Sequence, residues 1–313
     1  MNISICITVF NEEKSISALL ESLVNQSKKA DEIVVVDGGS VDKTLEIIRH
    51  YQKKHSYIKS ISEKCTRARG RNLSVELSKN EIVAITDGGC VADRDWLKNI
   101  TEPFKTGAVD IVAGFYKMTG KSSLQKAEGA FLGVTPRKFN NNFLPSTRSM
   151  AFTKKAWEAI GGFPEGDVNS AEDTDFNYKA VKLGLKYSRV KNAIVEWGMP
   201  VTLKDFKSKI RDYSKWDVKY GIWWHPSQGI MSHNIKSLSI YARYAFFAIF
   251  IALAILGRVS PVYPLIFIFT YFYWSYRKIY LEFGDWKISF WGPVLQVVSD
   301  IGVMEGFLMG LFK

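Results

Sequence analysis

Three short apolar runs, two of which end in an aspartate, constrain the fold of this chain more than any other feature. Ile3–Val9, Glu32–Asp37 and residues 81–87 are each continuous and rich in β-branched side chains. After the first run, apolar residues recur at helical spacing over residues 16–23. Apolar strands separated by amphipathic helices are typical of a largely parallel sheet with helices on both faces. The sequence therefore predicts an α/β fold.

The aspartate that ends the second run is a candidate ligand-binding residue. Ligands of parallel sheets bind beyond the carboxyl ends of the strands, so Asp37 and Asp87 are expected at the same edge. Residues 36–44, VDGGSVDKT, follow a strand and open a helix, where glycines allow close approach and a helix N-terminus attracts phosphate. Asp37 is expected to accept hydrogen bonds from a base or a ribose. The alternative is that Ser40 and Asp42 only cap the helix.

The aspartate at the end of the third run precedes two glycines, Gly88 and Gly89. A carboxylate at this position can bind a divalent cation that holds a diphosphate, because Mg²⁺ and Mn²⁺ prefer oxygen ligands and keep several waters. The alternative for Asp87 is an ordinary turn.

A second pair of acids begins a later helix. Glu172 and Asp173 follow a glycine-rich loop at residues 161–166. A carboxylate there can take a proton from an acceptor hydroxyl as the hydroxyl attacks. The alternative is that acids in the first turn complement the helix dipole.

The last quarter of the chain is far more apolar than the rest and predicts membrane helices. Residues 241–256 and 259–276, with their preceding residues, each approach the roughly 20 residues needed to cross a bilayer, and their short link predicts a helical hairpin. A third run, residues 288–312, holds Asp300 and Glu305, which should face protein if it spans. Two or three spans are expected. The alternative is a set of core helices in a soluble domain.

The basic charge of the chain is concentrated before this apolar region. The net charge is +11, and residues 204–236 hold seven Lys or Arg against three Asp, together with six Trp, Tyr or Phe. Basic residues mixed with Trp and Tyr beside an apolar span are typical of a membrane surface and not of a nucleic-acid site. The expected organisation is therefore a catalytic domain at residues 1–200, a membrane-interface segment at residues 201–236 and a transmembrane region at residues 237–313.

The distribution of charge in the loops predicts the orientation in the membrane. Arg277, Lys278 and Lys287 follow the second apolar run, whereas the hairpin turn holds only Arg258. The positive-inside rule then places the large N-terminal domain in the cytoplasm of a multi-pass protein of the cell membrane. The three cysteines lack any disulfide or zinc spacing, which also favours a reducing compartment.

The order of these signals resembles the inverting family 2 glycosyltransferases of GT-A fold, over roughly residues 2–225. The matching stretches are residues 8–13, 37–44, 71–72, 87–90, 161–163 and 172–175. The resemblance implies a nucleotide-diphospho-sugar transferase fold with a Rossmann-like, mostly parallel sheet, followed in this chain by C-terminal membrane helices.

The resemblance also implies the residues of the site. It implies a nucleotide-sugar site formed by Thr8, Phe10, Asn11, Glu12, Asp37, Arg71, Asp87, Glu172, Lys215 and Trp216. Within that site, Asp87 would belong to a metal–diphosphate centre with Mn²⁺ or Mg²⁺, and Asp173 would be the catalytic base. Arg71 would lie near the phosphates, and Lys215 near the leaving diphosphate.

The chain departs from the family pattern at several positions that bear on the metal and the base. The second aspartate of the family's D-x-D is Gly89 here, and Asp37 is followed by Gly38 where a paired aspartate is common. Trp197 stands where many relatives carry a metal-binding histidine, and His225 further on is a weak substitute.

These observations predict a glycosyltransferase that moves a sugar from a nucleotide-diphosphate-sugar onto a lipid-linked or glycan acceptor at the cytoplasmic membrane face. One alternative is a polyprenyl-phosphate sugar synthase, in which the ionised phosphate of the acceptor attacks and a base is less necessary. The other alternative is a non-catalytic nucleotide-binding membrane subunit, which the missing aspartate and histidine favour.

Overall fold

A computed structural model describes residues 1–166, 171–225 and 232–312 of the chain. The chain forms two compact units. The first consists of Met1–Lys117 and Phe139–Gly198, and the second of Met118–Lys138 and Met199–Lys313.

In the described residues, eight strands form one sheet in the order β3-β2-β1-β4-β7-β6-β8-β5. The strands are β1 (Ile3–Val9), β2 (Glu32–Asp37), β3 (Ile58–Ser62), β4 (Ile82–Asp87), β5 (Cys90–Ala92), β6 (Ile111–Thr119), β7 (Met150–Thr153) and β8 (Tyr187–Gly198). β1 lies between β2 and β4, and β1 to β4 run parallel to one another. The predicted α/β class and parallel sheet are confirmed for this half of the unit.

The other half of the sheet is antiparallel. β7 pairs antiparallel with both β4 and β6, and β5 pairs antiparallel with β8. This change of direction was not predicted from the sequence, because β7 is only four residues long and follows an irregular segment without a clear periodic pattern.

Six α-helices of the described residues belong to the first unit and cover the sheet. They are α1 (Ile16–Val24), α2 (Thr44–Lys54), α3 (Arg67–Leu77), α4 (Trp96–Thr101), α6 (Lys154–Ile160) and α7 (Glu172–Lys182), with a 3₁₀ helix at Glu102–Thr106. α2 begins at Thr44, after a loop in which the backbone N–H of Ser40 donates to the Asp37 carboxylate.

The core of the first unit packs aromatic rings between the sheet and two helices. Three buried phenylalanines contact one another: Phe152 of β7, Phe163 of the loop before α7 and Phe176 of α7. The rings of Phe163 and Phe176 are stacked, with 4.5 Å between their centres. Burying a side chain of this size contributes roughly 1.5–3 kcal/mol. This cluster anchors α7, and therefore the acids in its first turn, against the sheet.

The second unit is helical. It holds α5 (Ser123–Leu132), α8 (Leu203–Lys219), α9 (His233–Ile255), α10 (Val262–Phe283), α11 (Trp286–Ser289) and α12 (Trp291–Leu311). α8 packs closely along α12, and Lys207 of α8 forms a 2.6 Å salt bridge with Glu305 of α12.

Two segments of this unit are long and apolar enough to cross a membrane, His233–Ile255 and Trp286–Leu311, judged by length and composition in the described residues. The second apolar run predicted to span forms α10, which is not one of these two. α10 extends to Phe283 and so includes Arg277, Lys278 and Glu282, and its tyrosines lower its mean hydropathy.

Candidate active site

The two aspartates that end β2 and β4 lie at the same edge of the sheet, on either side of β1. Thr8 of β1 is level with Asp87 of β4, and Val9 is level with Asp37 of β2. The two strand ends meet at one edge because β1 runs parallel to both β2 and β4.

Asp37 holds the turn that follows its own strand. Its carboxylate is fully buried and accepts hydrogen bonds from the backbone N–H groups of Gly39 and Ser40 at 3.1–3.3 Å and from Ser62 Oγ at 2.7 Å. Gly39 has φ +90°, which favours glycine in this turn. Asp37 therefore fixes the shape of the loop at the sheet edge.

The turn after β1 packs on the same loop. Asn11 has φ +53°, its N–H donates to Ser40 Oγ at 2.8 Å, and its Oδ1 accepts from Val41 N at 2.9 Å. The N–H of Glu12 donates to Thr44 Oγ1 at 2.7 Å. Phe10 is 59% exposed at the rim, where an aromatic side chain is available for stacking on a base.

Thr8 lies below this rim and is covered by α3. A Cβ on Gly70 of α3 would overlap with Thr8 Cγ2, so glycine permits the close approach of helix and strand. Thr8 Oγ1 is buried and has no hydrogen-bond partner in the described part of the protein.

Arg71 of α3 joins two acids that are far apart in the sequence. It is 3% exposed, its Nη2 donates to Asp87 Oδ1 at 2.7 Å, and its Nη1 donates to Glu172 Oε1. Arg67 Nη1 also lies 3.7 Å from Glu172 Oε1. Removing one partner from such a buried group leaves an uncompensated charge, which typically costs about 3–5 kcal/mol.

The glycine-rich loop before α7 is held by Asn72, the neighbour of that arginine. Asn72 Nδ2 donates to the carbonyl of Phe163 at 2.8 Å, and the N–H of Phe163 donates to Asn72 Oδ1 at 2.8 Å. Gly162 has φ +73° and would place a Cβ 2.8 Å from Asn72 Oδ1. The Arg71-Asn72 pair therefore fixes both the acids and the loop that leads to them.

Asp173 follows Glu172 at the start of α7 and lies within electrostatic range of Asp87 and Arg71. Burial, and then the negative charge of Glu172, raise the pKa of Asp173 above its ordinary value. Burial alone would also raise the pKa of Asp87, but Arg71, Arg148 and Arg67 outweigh it and hold the pKa of that carboxyl below its usual range. Two neighbouring acids with pKa values shifted in opposite directions are typical of sites with divided acid–base roles.

Arg148 is a site residue that was not predicted from the sequence. Its guanidinium lies 3.7 Å from the ring centre of Trp197, and its charge acts on both Asp87 and Asp173. Trp197 of β8 is paired with Cys90 of β5, directly after the two glycines that follow Asp87. In the sequence, Arg148 is an isolated arginine before a short buried strand, which is a weak signal. Thr147, the residue before Arg148, donates from its Oγ1 to Asp87 Oδ2 at 3.3 Å.

The metal expectation can be tested against the donor set around Asp87. Over residues 1–166, 171–225 and 232–312, no group of three or more His, Cys, Asp or Glu side chains is arranged to hold a metal ion. Glu12 Oε2 is 4.0 Å from the position that a Cβ on Gly89 would take, so a second carboxylate lies beside the glycine that replaces the family's aspartate. Mg²⁺ is commonly held by one or two carboxylates with substrate phosphates and water. Both oxygens of Asp87 accept hydrogen bonds, from Arg71 and from Thr147, so a cation at Asp87 stays a prediction.

Three further residues singled out from the sequence lie in the second unit. Lys215 and Trp216 are on α8, where Trp216 is 9% exposed and Lys215 Nζ lies 5.5 Å from its ring centre. His225 stacks on His233 with 6.3 Å between ring centres, and burial lowers its pKa to about 4.

The arrangement in the first unit combines an acid with a raised pKa, an acid held ionised and three arginines around them. The acid with the raised pKa is suited to accept a proton. The arginines are suited to stabilise negative charge on phosphate, because guanidinium groups match phosphate geometry.

Comparison with known proteins identifies the family. The model of the family described as "Glycosyl transferase family 2" matches residues 4–163, about half of the chain. Glycosyltransferase AglE of Haloferax volcanii is 27% identical over 189 residues, which are 56% of this chain and 62% of that protein. A Methanococcus voltae protein, named dolichyl N-acetyl-alpha-D-glucosaminyl phosphate 3-beta-D-2,3-diacetamido-2,3-dideoxy-beta-D-glucuronosyltransferase, is 37% identical over 108 residues. That match covers 33% of this chain and 34% of the relative, so the matches span between a third and about three fifths of the two relatives' own length.

A solved structure confirms the fold. Mannosyltransferase PcManGT from Pyrobaculum calidifontis, in complex with GDP-Man and Mn²⁺, superposes with a TM-score of 0.65 at 18% sequence identity. The match covers 96% of this chain and 86% of that one. The predicted GT-A fold is therefore confirmed, and the family match over residues 4–163 agrees with the resemblance found in the motifs. This chain belongs to glycosyl transferase family 2.

Proposed function

We propose that this protein transfers a sugar from a nucleoside-diphosphate sugar to an acceptor by single displacement with inversion at the anomeric carbon. Asp173 takes the proton of the acceptor hydroxyl as its oxygen forms a bond to the anomeric carbon. The bond between that carbon and the diphosphate oxygen breaks, and the nucleoside diphosphate leaves with the electron pair.

One observation carries this proposal: Asp173 lies beside the Asp87–Arg71–Glu172 ion pairs at the carboxyl edge of the parallel strands. A base and a phosphate-binding group must lie within a few ångströms of one reacting centre. The raised pKa of Asp173 increases its proton affinity, which favours proton transfer.

The leaving diphosphate is stabilised by positive charge. Arg71 and Arg148 supply part of that charge, and preorganised charge of this kind usually lowers the barrier more than any other single effect in an active site. Asp87, with Glu12 beside Gly89, would hold a divalent cation. Such a cation supplies Lewis-acid stabilisation of the diphosphate when bound. The solved relative that contains GDP-Man and Mn²⁺ supports both the class of donor and the cation.

The nucleoside is proposed to lie on the rim at Phe10 and Asn11, above Thr8 and beside the turn that Asp37 holds. The ring of exposed Phe10 would stack on the base. The buried Thr8 Oγ1, which has no hydrogen-bond partner among the described residues, marks a polar position below it. In this proposal, Lys215 and Trp216 help to bind the nucleotide-sugar, as the family resemblance implies.

The acceptor is proposed to be lipid-linked and to be used at the cytoplasmic membrane face. Two helices capable of crossing a membrane support this, as does the relative whose name includes a dolichyl-linked sugar phosphate. We propose the organisation given by the sequence: a catalytic domain at residues 1–200, an interface segment at 201–236 and membrane helices over 237–313.

Substitution Asp173→Asn tests the role of the base. It removes the proton acceptor but keeps the shape of the side chain, so we expect turnover to fall by roughly 10²–10⁴-fold while the affinity for the nucleotide-sugar stays nearly unchanged. The measurements are initial rates and isothermal titration with a panel of nucleotide-sugars, with and without Mn²⁺. A matched control is Asp175→Asn on the same helix, because Asp175 forms its ion pair with Lys179. Equal loss of donor affinity and turnover in Asp173→Asn would show that Asp173 has a structural role.

A second version of the proposal has a polyprenyl phosphate as the acceptor. The nucleophile is then already ionised and Asp173 is not needed as a base. Comparing Asp173→Asn with the wild type on hydroxyl and on phosphate acceptors separates the two versions, because only the hydroxyl reaction should depend on the carboxylate. A protein that neither transfers nor slowly hydrolyses any donor would instead match the non-catalytic nucleotide-binding subunit.

A further inference from the structure

Three lysines of the second unit lie close together. Lys138 follows α5, Lys236 lies in the first turn of α9, and Lys278 lies near the end of α10. Each is close enough for its charge to act on the others. Among the described residues, none of the three forms a salt bridge with a carboxylate, whereas Arg243 of α9 does. Like charges held together repel each other unless an anion joins them.

The acids nearest to this cluster are already engaged. Asp300 of α12 is fully buried and accepts from Arg243 Nη2 at 2.6 Å and from Gln296 Nε2 at 3.0 Å. Asp217 of α8 lies 2.9 Å from His233 Nδ1. The charge of Asp300 acts on Lys236 and Lys278, but neither carboxylate forms a salt bridge with a lysine of this group in the described residues.

The lysine side chains are accessible and have donors to spare. Lys138 and Lys236 are exposed, and Lys278 is half-buried with its Nζ 3.8 Å from the ring centre of Phe131. Lys278 Nζ donates to Gln296 Oε1 at 3.3 Å, which leaves two of its three N–H groups for another acceptor. An incoming anion can thus be bound without breaking this contact.

An apolar cavity of about 210 Å³ lies within the same helical unit. Its wall includes Phe247 of α9, Phe267 of α10 and Val297 of α12, and its polar part is formed by Arg243 and Tyr271. Arg243 is also within electrostatic range of both Lys236 and Lys278. The wall of the cavity therefore includes a residue whose charge acts on two of the three lysines.

We propose that Lys138, Lys236 and Lys278 bind the phosphate or diphosphate of a polyprenyl-type lipid, and that the cavity holds the first part of its hydrocarbon chain. A free phosphate would leave the apolar cavity unexplained, and an uncharged lipid would leave the lysines uncompensated. Charge complementarity and the adjoining apolar wall together select an amphiphile with an anionic head. This inference rests on the proposed transferase function and names the class of its acceptor.

The test uses the full chain in phosphatidylcholine nanodiscs, with undecaprenyl phosphate as the probe and undecaprenol as the matched lipid without charge. Binding is measured by native mass spectrometry and by the acceptor KM in sugar transfer. The variants are the double substitution Lys236→Gln/Lys278→Gln and the charge-keeping Lys278→Arg. The control is Lys287→Gln, which removes an exposed lysine of α11 outside the cluster.

We expect the double variant to weaken undecaprenyl phosphate binding by about tenfold or more, as for the loss of charge-assisted hydrogen bonds. Lys278→Arg and Lys287→Gln should stay near the wild type, undecaprenol should bind weakly, and donor affinity should be the same in all variants. Equal binding of undecaprenol, full displacement by phosphatidylglycerol, or full displacement by equimolar inorganic phosphate would each overturn the proposal.

The same measurements separate this inference from the proposed function. Lysine-dependent binding of the lipid phosphate without any sugar transfer would contradict the transferase proposal and keep the lipid site. Sugar transfer with an acceptor KM that is identical in the wild type and the double variant would keep the transferase and overturn the lipid site.

Discussion

At the scale of single residues, the chemistry of the site depends on how unlike charges are placed around two acids. Asp87 is held ionised by arginines, whereas Asp173 has its pKa raised by burial and by Glu172. Glu172 in turn is held ionised by Arg71 and Arg67, which outweigh the effect of burial on its pKa. The negative charge of Glu172 therefore opposes ionisation of Asp173.

This arrangement predicts a pH dependence for Glu172→Gln. A general base acts when it is deprotonated, so kcat/KM rises as pH rises through the pKa of Asp173, and a raised pKa places this acid limb above the ordinary range of an aspartate. Removing the charge of Glu172 lowers that pKa, and the acid limb should move to lower pH. Glutamine can still accept the hydrogen bond of Arg71. The measurement is a pH profile of kcat/KM, with Asp175→Asn as control. An acid limb that does not move would mean that another group limits the rate.

At the scale of secondary structure, the close contact between α8 and α12 depends on glycines spaced four residues apart. Gly302, Gly306 and Gly310 of α12 face α8, and a Cβ on Gly306 would overlap with the carbonyl oxygen of Arg211. Small residues at this spacing let two helix backbones approach closely. The basic, aromatic α8 is thereby held along one of the two segments able to cross a membrane.

We predict that Gly306→Ala separates α8 from α12. The added methyl group meets backbone atoms that cannot rotate away, so overpacking should cost roughly 1–3 kcal/mol and lower the melting temperature. The measurement is thermal unfolding in detergent followed by tryptophan fluorescence. Gly198→Ala is the matched control, since its Cβ would meet nothing within 4 Å. Equal melting temperatures for both variants would contradict the close packing of the two helices.

At the scale of the whole molecule, the proposed topology can be tested by chemical labelling. The loop after α9, residues 257–261, should face the outside if the N-terminal unit is cytoplasmic, whether two or three helices span. In a Cys65→Ser background the remaining native cysteines, Cys6 and Cys90, are buried. We expect a membrane-impermeant maleimide to label Ser260→Cys in intact cells and to label Lys64→Cys only after lysis.

A cysteine near the end of the chain then counts the spans. With two spans Phe312→Cys is labelled only after lysis, and with three spans it is labelled in intact cells. Labelling of Lys64→Cys in intact cells would overturn the proposed orientation.

The sequence alone determined the α/β class, the family and the position of two acids at one sheet edge. These features depend on local patterns: apolar runs specify strands, helical spacing specifies helices, and a parallel register brings strand ends together. It also led to Asp173, because a glycine loop followed by two acids is a short-range motif. What it could not determine were contacts between distant parts of the chain.

Only the tertiary structure decided which charges meet. Arg71 bridges Asp87 and Glu172, which are 16 and 101 residues away from it, and Arg148 joins them from an irregular segment with no periodic pattern. The lysine cluster likewise combines a loop residue with residues of two later helices. No local propensity encodes such meetings, because they arise when separate helices and strands pack their buried faces together, and that packing is a property of the folded chain.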